Sequence, residues 1–262
     1  MHEIADIACN FTSERFDKDL NEVINRAIKN KITKFGLICS QLNDLDKLLK
    51  IYEQYSNNMF FTIGVHPHHA NEINDGYIKK LKEAVNKNNP HAVGETGLDF
   101  FRNLSTYEEQ IFAFEEQIKI AIDTNKPLFL HQRDSHNDFI KILRKYSSDI
   151  NKSVVHCFTG TKEQLDDYLE LDCYIGVTGW ICDEKRNVQL RKTIKNIPLE
   201  KLMIETDCPY LIPKNLPDKP KNNRNEPINL NHIVFEIGML MGINEEILRK
   251  NTFENTINFF TT

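Results

Sequence analysis

Short apolar runs recur along the chain at residues 4–9, 34–39, 60–65, 92–95, 127–131, 153–157, 173–178 and 202–206. They are too short for helices and rich in Val, Ile, Phe and Cys, as strands buried on both faces should be. Longer stretches of helical period lie between them. Residues 14–30 place Phe16, Leu20, Val23, Ile24, Ala27 and Ile28 on one face, and residues 106–124 do the same with Ile111, Phe112, Phe114, Ile118, Ala121 and Ile122. Ser105 with Glu108, and Thr161 with Gln164, have the spacing of capping boxes and predict where two helices start. Beyond Leu230 the pattern is helical over 230–241 and 245–260, which predicts two helices closing an outer ring.

The β-α alternation repeats eight times, at about the spacing of a (β/α)8 barrel unit. An open doubly wound sheet alternates too, but eight strands without a glycine-rich phosphate loop favour closure. Neither G-x-G-x-x-G nor G-x-x-x-x-G-K-[ST] occurs, so no nucleotide cofactor is indicated. The expectation is an α/β fold, a TIM barrel occupying residues 1–262 as a single domain. One connection is unusual: residues 208–229 form a polar, proline-rich loop, long for a plain link.

In a barrel of this type, chemistry sits at the carboxyl ends of the strands. The third run ends in Gly64, Val65, His66, Pro67, His68, and the fourth delivers Glu95 between Gly94 and Gly97, where the glycines predict a tight turn. The fifth ends in His131, Gln132, Arg133, Asp134, the sixth in His156 and Cys157, and the eighth in Glu205, Thr206, Asp207. One histidine at a strand end is ordinarily a hydrogen-bonded structural residue. Several ionisable groups on one rim are electrostatically costly unless a divalent cation balances them. A mixed histidine and carboxylate set suits Zn, Mn, Co or Mg.

Net charge is −5 over 262 residues, which excludes a strongly basic duplex-coating protein. A polyanionic substrate would then be held by a local basic rim or by metal. The six cysteines form no C-x-x-C pair, which argues against a zinc ribbon and fits a reducing, cytoplasmic compartment. No apolar run approaches membrane-spanning length, and the first residues lack the pattern of a secretory signal.

The segments GVHPH (64–68), GETGLDF (94–100), HQRD (131–134), HCFTG (156–160), IETDCPYL (204–211) and RNEP (224–227) resemble, in order, the signatures of the TatD family of metal-dependent deoxyribonucleases, within the amidohydrolase-like barrels. Many relatives begin with D-x-H-x-H. Here Asp6, Ile7, Ala8, Cys9, Asn10 lack both imidazoles, which is similar to the branch of the family without that motif. Asp6 and Asn10 can offer oxygen in their place. The resemblance implies a soluble enzyme that hydrolyses phosphodiesters, a 3′–5′ exonuclease on single-stranded DNA and also RNA, with Mg²⁺, or else Mn²⁺ or Zn²⁺.

Under that resemblance Glu95, His131 and His156 would hold the more secure metal. Asp207 would complete a weaker second site and orient or deprotonate the attacking water. His66 is a phosphate ligand or leaving-group acid, or else a hydrogen-bonded core residue. Arg133 contacts phosphate or pairs with a neighbouring acid such as Asp134. Glu205, two residues before Asp207, points the same way along its strand and can orient a ligand. Asp99 could do the same, with ordinary solvation the alternative. In the long loop Lys214, Lys219, Lys221 and Arg224 face Asp218 and Glu226, a local basic excess that could guide a phosphate backbone. Trp180 and Tyr210 could stack unpaired bases or pack beneath the loops. His2, His68, His69, His91, His136 and His232 are expected at the surface or in structural roles. A monomer is the expected state. The rival readings are a metal-dependent amidohydrolase or phosphoesterase acting on a small molecule, which should have a closed apolar pocket, and a non-catalytic nucleic-acid-binding relative.

Overall fold

The computed structural model describes residues 2–220 and 222–261; Lys221, counted above among the basic loop residues, lies outside them. Eight strands pair in parallel in the order in which they occur. They are β1 (Ile4–Cys9), β2 (Ile32–Leu37), β3 (Met59–Ile63), β4 (Ala92–Asp99), β5 (Leu128–Arg133), β6 (Ser153–Val155), β7 (Tyr174–Val177) and β8 (Leu202–Ile204). The ring closes between first and last: Cys9 bridges Cys208 in parallel, and the Asn10 N–H donates to the Cys208 carbonyl at 2.8 Å.

Helices α1 (Leu20–Lys29), α2 (Leu45–Tyr55), α3 (Asp75–Asn88), α4 (Tyr107–Asp123), α5 (His136–Tyr146), α6 (Lys162–Glu170), α7 (Val188–Thr193) and α8 (Leu230–Met241) follow the strands in turn, and α9 (Glu245–Phe260) ends the chain. The expected TIM barrel is present. Helix α6 starts with the Thr161–Gln164 capping box, but α4 is capped one residue later than expected, by Thr106 with Glu109. Ser105 instead accepts the backbone N–H of Asn71. The helical stripe at 14–30 is also broken, into a short 3₁₀ turn at Glu14–Phe16 and then α1.

Apolar side chains form two bodies. The larger lies between strands and helices; the smaller fills the barrel with Ile7, Ile38, Phe60, Phe129, Val154 and Met203. Helix α9 does more than close the outer ring. Its last two residues, Phe259 and Phe260, join the interior cluster, and Phe260 stacks on Phe60 with ring centroids 4.8 Å apart. Phe60 and Ala92 stand at the starts of β3 and β4, so this plug seals the amino-terminal end of the barrel and leaves the other end for chemistry. Among the described residues no helix is long and apolar enough to cross a membrane.

The turn expected around Glu95 is absent. β4 runs on through Glu95 to Asp99, pairing along β5. The glycines serve close approach instead. A Cβ on Gly94 would fall 2.3 Å from the Phe129 carbonyl oxygen, and one on Gly97 1.9 Å from that of His131, both at positive φ. Without side chains there, β4 lies close enough to β5 to set Glu95 beside His131.

Candidate metal and substrate site

A cavity of about 1110 Å³ opens at the carboxyl ends of the strands. At its floor Glu95 Oε1 is surrounded by imidazoles, at 2.7 Å from His156 Nε2, 3.0 Å from His131 Nδ1 and 3.4 Å from His66 Nε2. His131 Nδ1 and His156 Nε2 are themselves 3.4 Å apart. Nitrogen and oxygen ligands about 2.1 Å from one cation are separated by about 3.0 to 3.4 Å in octahedral or tetrahedral arrangements. Three of the four separations match that range, and the fourth, 2.7 Å from Glu95 Oε1 to His156 Nε2, is a hydrogen bond. His66, Glu95 and His131 together bring ligand atoms close enough to hold a divalent ion.

The electrostatics agree. Burial pulls the His156 imidazolium down, but the charges of Glu95 and Glu205 outweigh it and raise the group well above its ordinary value. His131 is likewise penalised by burial, and hydrogen bonds with Asp99 and Glu95 raise it overall. Burial opposes ionisation of Glu95 as well, yet the facing histidines hold its carboxyl well below the usual range. The floor thus favours positive charge. Without an ion, protons on the imidazoles supply that charge.

The next layer fixes the orientation of these groups. Glu205 is fully buried; one oxygen accepts the Cys157 N–H and the other lies 3.4 Å from His156 Nδ1. Both atoms of that last pair are otherwise unpartnered. Asp99, far from being a solvated loop acid, is buried at the end of β4. It accepts the N–H groups of Phe101 and Arg102, lies 2.7 Å from His68 Nε2, and sits 3.5 Å from His131 Nε2. Burial works against the charged form of Asp99, but its bonds to His131 and His68 hold it far below the usual carboxylate range. His68 is thereby part of the site and not a surface bystander. The signal was present in sequence: residues 95, 97 and 99 share one face of a continuing strand.

His66 Nδ1 accepts the His68 backbone N–H at 3.1 Å, so its proton is on Nε2, directed at Glu95. Burial first of all keeps this imidazole neutral, down at about 4. It is suited to donating a hydrogen bond from Nε2, and as a neutral imidazole it also belongs, with Glu95 and His131, to a group able to hold an ion. Asp207 opens onto the same cavity, and Asn10 Nδ2 donates to its Oδ1 at 2.9 Å and to the Cys208 carbonyl at 3.2 Å. Asn10 thus positions Asp207. Burial pushes Asp207 up to about 7.

Asp6 faces away from this cavity. Oδ1 accepts from Thr206 N at 2.8 Å and Ala8 N at 3.3 Å, and Oδ2 from the Thr206 hydroxyl at 2.5 Å. It staples β1 to the end of β8, with Cys9 and Cys208 beside it, and its oxygens are already engaged. Of the two residues that could offer oxygen in place of the absent imidazoles, Asp6 is thus turned to the seam between β1 and β8, and Asn10 to Asp207.

The rim divides similarly. Arg133 lies exposed beside the cavity with its guanidinium carbon 3.8 Å above the Phe101 ring. Trp180 and Tyr210 also line it, Tyr210 half-exposed at 53%. Arg186, which sequence reasoning missed, stacks 5.2 Å from Trp180. Arg224 is not on the rim. It is buried over Phe16, bonded to both Asp19 oxygens at 2.7 Å, to Glu226 and to the Arg15 carbonyl. It anchors the long loop to the start of α1, and its burial keeps it away from a phosphate on the rim. His136 likewise has a structural bond, at 3.0 Å to Tyr168 Oη.

Residues 5–261 match the family model described as TatD related DNase. A protein of Pantoea ananatis named "3'-5' ssDNA/RNA exonuclease TatD" is 38% identical over 257 residues, covering 97% of this chain and 98% of that one. A protein of Edwardsiella piscicida with the same name is 42% identical over 228 residues, with 87% and 88% covered. Among solved structures, a hydrolase TatD family protein from Entamoeba histolytica superimposes with a TM-score of 0.89 at 29% identity, over 99% of this chain and 98% of that chain. A TatD homologue from Escherichia coli gives 0.90 at 25%, with the same coverage.

Proposed function

The chain belongs to the TatD family of related DNases, and from that premise we propose that it is a metal-dependent 3′–5′ exonuclease acting on single-stranded DNA and RNA. The observation that carries the proposal is the Glu95 carboxylate ringed by His131, His156 and His66 at the mouth of a closed barrel. Glu95, His131 and His156 would hold a divalent ion, which supplies a lowered pKa for water and neutralisation of charge developing on the phosphoryl oxygens. Mg²⁺ is the ion we assign in the cell, with a second, weaker position toward Asp207.

Asp207 is the base. Asn10 pins Oδ1 and leaves Oδ2 to take the proton of the attacking water. His66 donates its Nε2 proton as a hydrogen bond to the scissile phosphate, and Arg133 presents its planar fork to an adjoining one. Glu205 and Asp99 orient His156 and His131 as carboxylates behind ligating imidazoles do. Trp180 and Tyr210 stack unpaired bases, which a duplex would not release. The breadth and polarity of the cleft favour a polymer over the small molecule of the rival reading. We assign the protein to the cytoplasm as a monomeric catalytic barrel.

The test is release of mononucleotides from a single strand labelled at either end, with and without a chelator. The proposal expects loss from the 3′ end, abolished by chelation and restored by Mg²⁺ or Mn²⁺. Cleavage that survives chelation, or that begins at the 5′ end, would refute it.

A further inference from the structure

Beside the main cleft lies a second cavity of about 300 Å³. The two share Trp180, Arg186, Tyr210 and Leu211 as a common wall, so they lie side by side on the rim. Its far side is made by Arg15, Ile212 and Lys214. Its cationic and aromatic groups are held in place. Arg15 donates to the Pro209 carbonyl at 3.2 Å and the Asn223 carbonyl at 2.6 Å, and Arg186 donates from Nε to Asp183 at 2.6 Å while covering the Trp180 ring.

A mostly apolar slot edged by Arg15 and Arg186, each held by hydrogen bonds, suits a planar, uncharged heterocycle carrying an anionic backbone. That is the chemistry of an unpaired nucleobase with its phosphate. Volume sets the register. The main cavity, about 1110 Å³, exceeds the usual range for one small ligand and has room for both nucleotides flanking a scissile phosphate. The second has room for one base.

We propose that this second cavity is a subsite for the base of the third nucleotide from the 3′ end, with Arg15 and Lys214 facing its phosphate. The counting from the 3′ end rests on the exonuclease reading above. Its consequence is that digestion slows once a strand has been shortened to a dinucleotide.

Three probes separate the possibilities on the metal-loaded full chain: a dinucleotide, a trinucleotide, and a trinucleotide whose 5′-most sugar carries no base. The first cleavage of the trinucleotide should have a kcat/KM about tenfold above that of the dinucleotide, within the reach of one stacked base. The abasic trinucleotide should fall back to the dinucleotide value, and Ile212→Trp, which fills the slot, should erase the difference between dinucleotide and trinucleotide. Binding gives an independent readout, because Trp180 is the chain's only tryptophan. The trinucleotide should quench its fluorescence with a half-saturation about tenfold below that of the other two. Equal values for all three probes, or an abasic trinucleotide as good as the complete one, would overturn the subsite while leaving the nuclease intact. Selective quenching without any cleavage would support the base slot and reject the nuclease reading.

Discussion

At the amino-terminal end of the barrel, Phe60 stacks on Phe260 and packs in one cluster with Ile7, Phe129 and Met203. At the carboxyl end, the same β1, β3, β5 and β8 lead to Asn10, His66, His131 and Asp207 around a cavity. The first end is closed by apolar contact, and the ionisable groups that border it, Lys34 and His91, pack against the Phe60 ring. The second gathers buried carboxylates and imidazoles that face one another and are held by backbone N–H groups and the Asn10 amide. One set of strands therefore supplies stability at one end and reactivity at the other. Changes at the two ends should separate cleanly into effects on unfolding and effects on turnover.

The largest expected separation comes from Glu95→Gln. Losing the central carboxylate should lower kcat by about 10³-fold or more, with an unchanged far-UV spectrum. Retained turnover would break the division at its reactive end. Phe260→Ala should do the converse: it removes a ring from the plug, and truncations of buried aromatics cost about 3 to 5 kcal/mol. Urea unfolding measures this loss, and kcat of the folded fraction should stay within twofold of the parent.

Asp6 tests the seam between the two regions. Burial raises its carboxyl to about 7 against an ordinary 3.8. The folded state therefore holds that proton more tightly than the unfolded chain, so the stability it contributes is full below about pH 4 and is lost as pH rises to 7. Relative to Asp6→Asn, the parent should lose about 3 kcal/mol of unfolding free energy between those limits. Parallel pH profiles for the two proteins would remove Asp6 from this role. The smallest effect is expected from Glu205→Gln, which leaves the imidazole of His156 in place but weakens its support. Metal affinity should fall by about 10- to 100-fold, read by titration with Mn²⁺, while stability changes little.

The strand ends were legible because parallel strands buried on both faces read as uninterrupted apolar runs, so a His or Glu at the end of one stands out. The residues hidden from the sequence are those whose partner lies far along the chain. The charge of Arg224 is visible in the loop, but nothing nearby reveals Asp19, which bonds it from 205 residues away. Asp99 was obscured for another reason: Gly97 reads as the end of a strand, whereas β4 continues through it because β5 needs the space a side chain would fill. Helix α9 matched its expected span, yet its last turn packs inside the barrel and not on the ring, a choice set by the shape of the open end that Phe259 and Phe260 fill.

The convergence of Glu95, His131 and His156 on one cation is tested most directly by anomalous diffraction from crystals soaked in Mn²⁺. The account predicts a peak bounded by Glu95, His131 and His156 at the floor of the cleft, absent in Glu95→Gln. A peak only beside Asp6, Cys9 and Cys208, or none at saturating Mn²⁺, would contradict it.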